Sequence, residues 1–198
     1  MKFGQLFSLQ ARGGDRSPAS AATNLYGAPI INPLPSLQRN GLIAVSTLGM
    51  ISLLCTISLL SFFTYRFIFW RKYYRRYIGY NQYVVLVYNL VLADLQMSLG
   101  FIMSLRWVST NSLHASDAAC FLQGIWLQIG DPMSGMFVLA IAVHTFLHVS
   151  LGYQVPHRVL IATVVALWAL GVALTIIPIG SYGRYVFYPA VAWVGQVF

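Results

Sequence analysis

Apolar residues run almost unbroken through four stretches, about residues 41–69, 83–106, 119–150 and 158–179. Each reaches the ~20 residues that an α-helix needs to cross ~30 Å of hydrocarbon. Polar and charged positions gather in the connections between them. The pattern predicts an all-α fold, a polytopic transmembrane helix bundle. Helical periodicity does not separate bundle-facing from lipid-facing sides, because membrane helices are apolar all round. After the fourth stretch a Pro/Gly-rich turn opens a further segment that does not complete another span before Phe198. The chain is therefore expected to be the front part of a larger bundle.

Composition agrees. With 58% hydrophobic and 8% charged residues, a mean hydropathy of +0.70 and a mass of 22.0 kDa, a water-soluble fold would expose large apolar patches. The net charge of +8 could point to nucleic acid, but the cations are concentrated. Arg66, Arg71, Lys72, Arg75 and Arg76 lie together between the first two spans. Short Lys/Arg-rich loops stay in the cytosol, so this connection is expected inside and the amino terminus outside, with no nucleic-acid partner. Lys2, Arg12, Arg16 and Arg39 against Asp15 oppose that orientation, yet only Arg39 is near the membrane.

Residues 1–40 lack the apolar core of a signal peptide, so the first span serves as its own insertion signal. Ala11 to Pro35 is rich in Gly, Ser, Ala and Pro and reads as a disordered extracellular tail. The rival reading is a mitochondrial transit peptide, which Gly13, Gly14 and Pro18 weaken by breaking amphipathicity. No glycosylation sequon occurs to mark the outer side. Along the spans, Trp107 stands where an interfacial aromatic belongs, and Val108 to Ala118 forms an outer loop. The third span, Cys120 to about Ser150, exceeds the bilayer thickness and must tilt. A short inner turn, Gly152 to His157, leads to a fourth span rising through Trp168 to Pro178.

Polar residues inside the spans carry the candidate chemistry, since a charge at the bilayer centre costs about 2.5–3.5 kcal/mol. Asp94 and Asp131 lie mid-span on consecutive antiparallel helices and could share one polar cavity. One reading is an ion or proton site, or an anchor for a cationic ligand group. The other is structural, with Asp94 satisfied by Ser98 or Asn89 and by bonds between helices. Gly124, Gln128, Asp131 and Gly135 recur at helical steps and predict a small, polar stripe facing the bundle interior. Asp131-Pro132 predicts a kink.

His144 and His148 have the spacing of two imidazoles on one metal, but no third ligand lies nearby in sequence. They read as hydrogen-bonded interfacial histidines, and no metal or cofactor is expected. Cys55, mid-span, reads as a reduced packing residue. Cys120, at the outer mouth, is a disulfide candidate whose partner is missing from the chain.

The run Asn89-Leu-Val-Leu-Ala-Asp94-Leu, with Trp107 and Cys120, resembles the seven-helix G-protein-coupled receptors. Cys120-Phe-Leu-Gln-Gly124, Gly130-Asp131, Ser134-Gly135, Ala140-Ile-Ala-Val-His144-Thr145 and Gly152-Tyr153 are similar to the fungal cAMP-receptor-like and glucose-sensing group. The resemblance covers about residues 41–195 and implies four spans of a seven-helix fold. It further implies a plasma-membrane receptor that senses an extracellular nutrient or small ligand and signals to a heterotrimeric G protein. Asn89, Asp94, Gln128 and Asp131 would form its polar hub, Cys120 would enter a loop disulfide, and other receptor chains would be partners in an oligomer. Two departures stand against it. His148-Val-Ser150 replaces the acidic-Arg-Tyr run at the inner end of the third span, and Ala192-Trp193 replaces the Cys-Trp pair expected after the fourth. The last five residues, Val194 to Phe198, are expected to come from a retained intron or truncated gene model, leaving a product that signals poorly alone.

Other classes remain open at this point. A small ion- or proton-coupled transporter would use Asp94 and Asp131, although no inverted repeat is visible. A structural membrane subunit would need nothing more than four spans. An enzyme is not expected, because no Ser/His/Asp set, metal array or phosphate-cradling loop occurs.

Overall fold

The computed structural model describes residues 22–23, 29–31, 36–73, 78–114, 117–182, 187–189 and 194–196. Four helices dominate it: α1 (Ser36–Ile68), α3 (Gln82–Ile102), α5 (Ala118–Ser150) and α6 (His157–Tyr182). Short helices extend the connections, with α2 (Trp70–Tyr73) and a 3-10 turn (Ile78–Tyr80) after α1, and α4 (Ser104–Thr110) after α3. All four long segments are apolar and long enough to cross a membrane, as the hydropathy pattern requires. Large hydrophobic side chains such as Leu48, Leu54, Ile68, Val149 and Ile177 stand exposed along them. In water such a surface would drive aggregation, whereas lipid solvates it without penalty. The protein is an all-α integral membrane bundle.

Span limits differ from the sequence reading in instructive ways. The first helix starts five residues before Gly41, at Ser36. The second span does not stop at residue 106: it breaks at Met103 and resumes as α4 to Thr110, where Asn111 ends it in the left-handed conformation. Two N-caps fix the starts of their helices, Asn81 accepting from the Tyr83 backbone N–H and Asp117 from that of Ala119, each at 3.2 Å. Asp117 also pairs with Arg106 at 2.8 Å, tying α4 to the start of α5. Both Pro132 and Pro178 lie inside continuous helix, so α6 runs past Pro178 instead of ending there. Gly152, at φ 61°, turns the chain after α5, and the Tyr153 N–H closes on the Leu147 carbonyl at 3.0 Å.

Short strands decorate the end where α4 meets α5. β1 (Ala22–Thr23), β2 (Pro29–Ile31) and β3 (Leu113–His114) form one antiparallel sheet, and β4 (Phe187–Pro189) pairs with β5 (Val194–Gln196). Two segments of the tail expected to be structureless are thus strands. The remainder of residues 1–35, together with Arg75, Arg76 and the Ala192–Trp193 pair, lies outside the described residues.

The most extensive helix contact joins α3 to α5, followed by α1 to α3. One core cluster, at the α4 end, gathers Leu42, Trp107, Ala119, Cys120 and Phe187; a second, deeper one gathers Leu86, Ala93, Met133, Phe137, Leu160 and Val164. Trp107 is 1% exposed, so it is a core residue and not an interfacial one. Close approach of α3 and α5 depends on Gly130, where a Cβ would stand 2.5 Å from the Met97 backbone nitrogen. At Gly135 the same atom would meet nothing within 4 Å. Gly130→Ala is expected to destabilise the bundle by about 1–3 kcal/mol through overpacking. Gly135→Ala should be neutral or gain up to about 1 kcal/mol from helix propensity. Thermal unfolding of both variants in detergent micelles checks the contrast.

Candidate functional site

Serine and threonine hydroxyls inside the spans mostly turn back on their own helix. Ser46 donates to the Leu42 carbonyl at 2.6 Å, Thr56 to Ser52 at 2.9 Å and Thr175 to Gly171 at 3.0 Å. This local bonding spares them a partner elsewhere. The polar contacts between helices lie nearly all on α3 and its continuation α4.

Asp94 is half-buried midway along α3 and accepts a hydrogen bond from the Ser134 hydroxyl of α5 at 2.7 Å. Ser98, one turn further, donates to the Asp94 backbone carbonyl at 2.8 Å and bonds Ser52 of α1 at 2.9 Å. Because Ser98 spends its only proton on that carbonyl, Ser52 is the donor between the two hydroxyls. Asn89 donates to the Val85 carbonyl and accepts from the indole N–H of Trp168 on α6 at 2.9 Å. Towards the α4 end, buried Gln123 accepts from the Trp107 indole at 2.6 Å and donates to the Ser104 hydroxyl at 2.9 Å. At the opposite end Gln82 reaches the Val155 carbonyl at 2.6 Å. Every other long helix is thereby pinned to α3.

The site residues expected from sequence divide sharply. Asn89 and Asp94 are contact points between helices, although Asp94 is held by Ser134, not by the side chains of Ser98 or Asn89. Gln128 and Asp131 make no side-chain hydrogen bond among the described residues. Gly124 is buried under Phe187, but Asp131 and Gly135 are exposed, so the expected stripe faces inward only at its start and Asp94 and Asp131 do not share a cavity. The face of α5 that packs is set instead by Gln123, Gly130, Phe137 and His144, seven residues apart, with Met133 between. Asp131 sits one residue off that row and is rotated outward by about 100°.

The two cysteines occupy different settings. Cys120 is a free thiol, fully buried against Trp107 and Phe187. Cys55 is exposed rather than packed. In the basic connection, the Arg66 guanidinium lies over the Phe62 ring at 5.2 Å and that of Arg71 over Trp70 at 5.6 Å. His144 is buried with neither ring nitrogen hydrogen-bonded, contrary to the reading of a bonded interfacial histidine. Sequence reasoning missed Ser134, Trp168, Ser52 and the Trp107–Gln123 pair. A search for donors at matching depth on neighbouring spans could have found Ser134, but nothing in spacing marks Trp168.

No family model, no curated protein and no solved structure matches this chain. The geometry alone therefore defines the site: a polar line along α3, with Asp94 at its centre. A double-mutant cycle of Asp94→Ala and Ser134→Ala should show coupling of about 0.6–1.7 kcal/mol, the range of hydrogen bonds within membranes. The parallel cycle of Asp131→Ala with Ser134→Ala should give coupling near zero. Unfolding in mixed micelles measures both.

Proposed function

We propose that the chain is a receptor-like membrane protein of the G-protein-coupled type, fungal cAMP-receptor-like or glucose-sensing. In this reading it lies in the plasma membrane with its amino terminus outside and responds to a nutrient or other small ligand at the outer mouth. The observation that carries the reading is the Asp94–Ser134 bond, which ties the second span to the third in mid-bundle. The Asn89–Trp168 bond adds the fourth span to the same point. In this reading the bundle has two packings that differ at this hub, and a ligand shifts their balance only by binding them unequally. The basic connection, with Arg71 and Lys72, is the surface offered to a heterotrimeric G protein.

The outward position of Asp131 weighs against the carrier alternative, since an ion path through both carboxylates needs them on one cavity. Resonance energy transfer between the chain and a Gα subunit in cell membranes tests the reading, with glucose and amino acids as probes. The expected result is a probe-dependent signal that falls by at least about tenfold in potency in Asp94→Asn, a coupling loss of ~1.4 kcal/mol. Absence of any signal, together with proteoliposome uptake that vanishes in Asp94→Asn, would overturn the receptor reading in favour of a carrier.

A further inference from the structure

Unassigned chemistry is concentrated at the end of the bundle that carries the basic connection. His144 of α5 is 5% exposed, and both of its ring nitrogens are buried without a hydrogen-bond partner. A buried polar group left unpaired costs about 1–3 kcal/mol, a penalty that Leu or Phe at this position would not incur. The ring is not loose. It stacks on Tyr83 of α3 with centroids 4.7 Å apart and planes inclined by 11°. One helical turn further along the same face, His148 is exposed, its ring centre 6.4 Å from that of His144 and 6.3 Å from Tyr83.

We infer that His144 and His148 chelate a divalent transition-metal ion of the zinc, copper or nickel class at this end of α5. Imidazole nitrogen is the preferred neutral donor for these ions and binds them at ~2.0–2.1 Å. Two imidazoles on one such ion place their ring centres roughly 5–6.5 Å apart, given those bond lengths and tetrahedral to linear angles. The observed 6.4 Å lies at the open, near-linear end of that span. The exposed His148 side chain must therefore turn its ring nearer to His144 to complete a tetrahedral chelate, while Tyr83 holds the His144 ring. Spacing of four residues puts both rings on one helical face. Among the described residues no third His, Cys, Asp or Glu joins them, which leaves the remaining coordination positions to water or a small exogenous ligand. Ligation also supplies the partner that the buried His144 nitrogen lacks. The inference rests on this pair alone and is independent of the receptor reading.

Zinc titration of the full chain, purified in detergent with a histidine-free tag and stripped of metal, tests it by calorimetry. One equivalent of Zn2+ per chain is expected. His148→Ala should weaken binding about 100-fold, the loss of a tethered second ligand, and His144→Gln similarly. Because His148 is exposed, its variant should keep the parent's thermal unfolding temperature, so the result does not depend on whether His144→Gln folds. The double variant His114→Ala/His157→Ala, which removes the only other histidines, should bind as the parent does. With Cu2+ as probe, electron paramagnetic resonance should show hyperfine coupling to two imidazole nitrogens. Unchanged affinity in His148→Ala, loss of binding in the control variant, or no stoichiometric binding would each overturn the inference.

Discussion

Hydrocarbon contains no water to satisfy a donor or acceptor, and that single constraint organises the molecule. Helices meet it for the backbone by bonding each peptide within its own segment. Hydroxyls such as Ser46, Thr56 and Thr175 meet it by folding back on the preceding turn. Amides, carboxylates and indoles reach back less readily, although Asn89 also gives an amide N–H to the Val85 carbonyl one turn away. Those that pair do so mostly across helix interfaces along α3 and α4. Reading from the basic end, the contacts are Gln82–Val155, Asn89–Trp168, Asp94–Ser134, Ser52–Ser98 and Ser104–Gln123–Trp107. The apolar remainder packs around this line and turns its outer surface to lipid.

The four spans were legible in the chain because length and hydropathy are one-dimensional quantities that a bilayer converts directly into structure. Their helical class followed for the same reason. Which side of each helix faces inward was not legible, and α5 shows why. The stripe Gly124–Gln128–Asp131–Gly135 has the small and polar residues that an interface favours, yet Gly130 is the glycine that admits the Met97 backbone. Sequence gives residue types on a cylinder, whereas the zero of rotation is set by neighbours. A rotation of about 100° separates Asp131, exposed, from Gly130, buried.

Legibility of the site was similarly partial. Asn89 and Asp94 stood out because polar groups are rare in hydrocarbon and their cost demands a partner. The partners themselves come from other spans whose relative depth depends on where each helix begins. An error of a few residues at each end, such as the early start of α1 at Ser36, shifts depth by several ångströms and loses the match. Trp107 illustrates a different blind spot. An aromatic near a span end is as suited to an interface as to a core, and only the Gln123 acceptor at 2.6 Å decides for the core. The two ends of α3 thus differ: one is sealed by Trp107, Cys120 and Phe187, and the other carries exposed imidazole and basic side chains.

The central claim is that α3 is the hub to which the other spans are bonded within a membrane, and cysteine cross-linking in native membranes tests it most directly. In a Cys55→Ser/Cys120→Ala background, Ser52→Cys with Ser98→Cys replaces two hydroxyls 2.9 Å apart on α1 and α3. Mild oxidation should link this pair rapidly, whereas Leu54→Cys with Ser98→Cys should stay unlinked, since Leu54 faces outward. Equal linkage of both pairs, or none in the first, would contradict the arrangement of helices around α3.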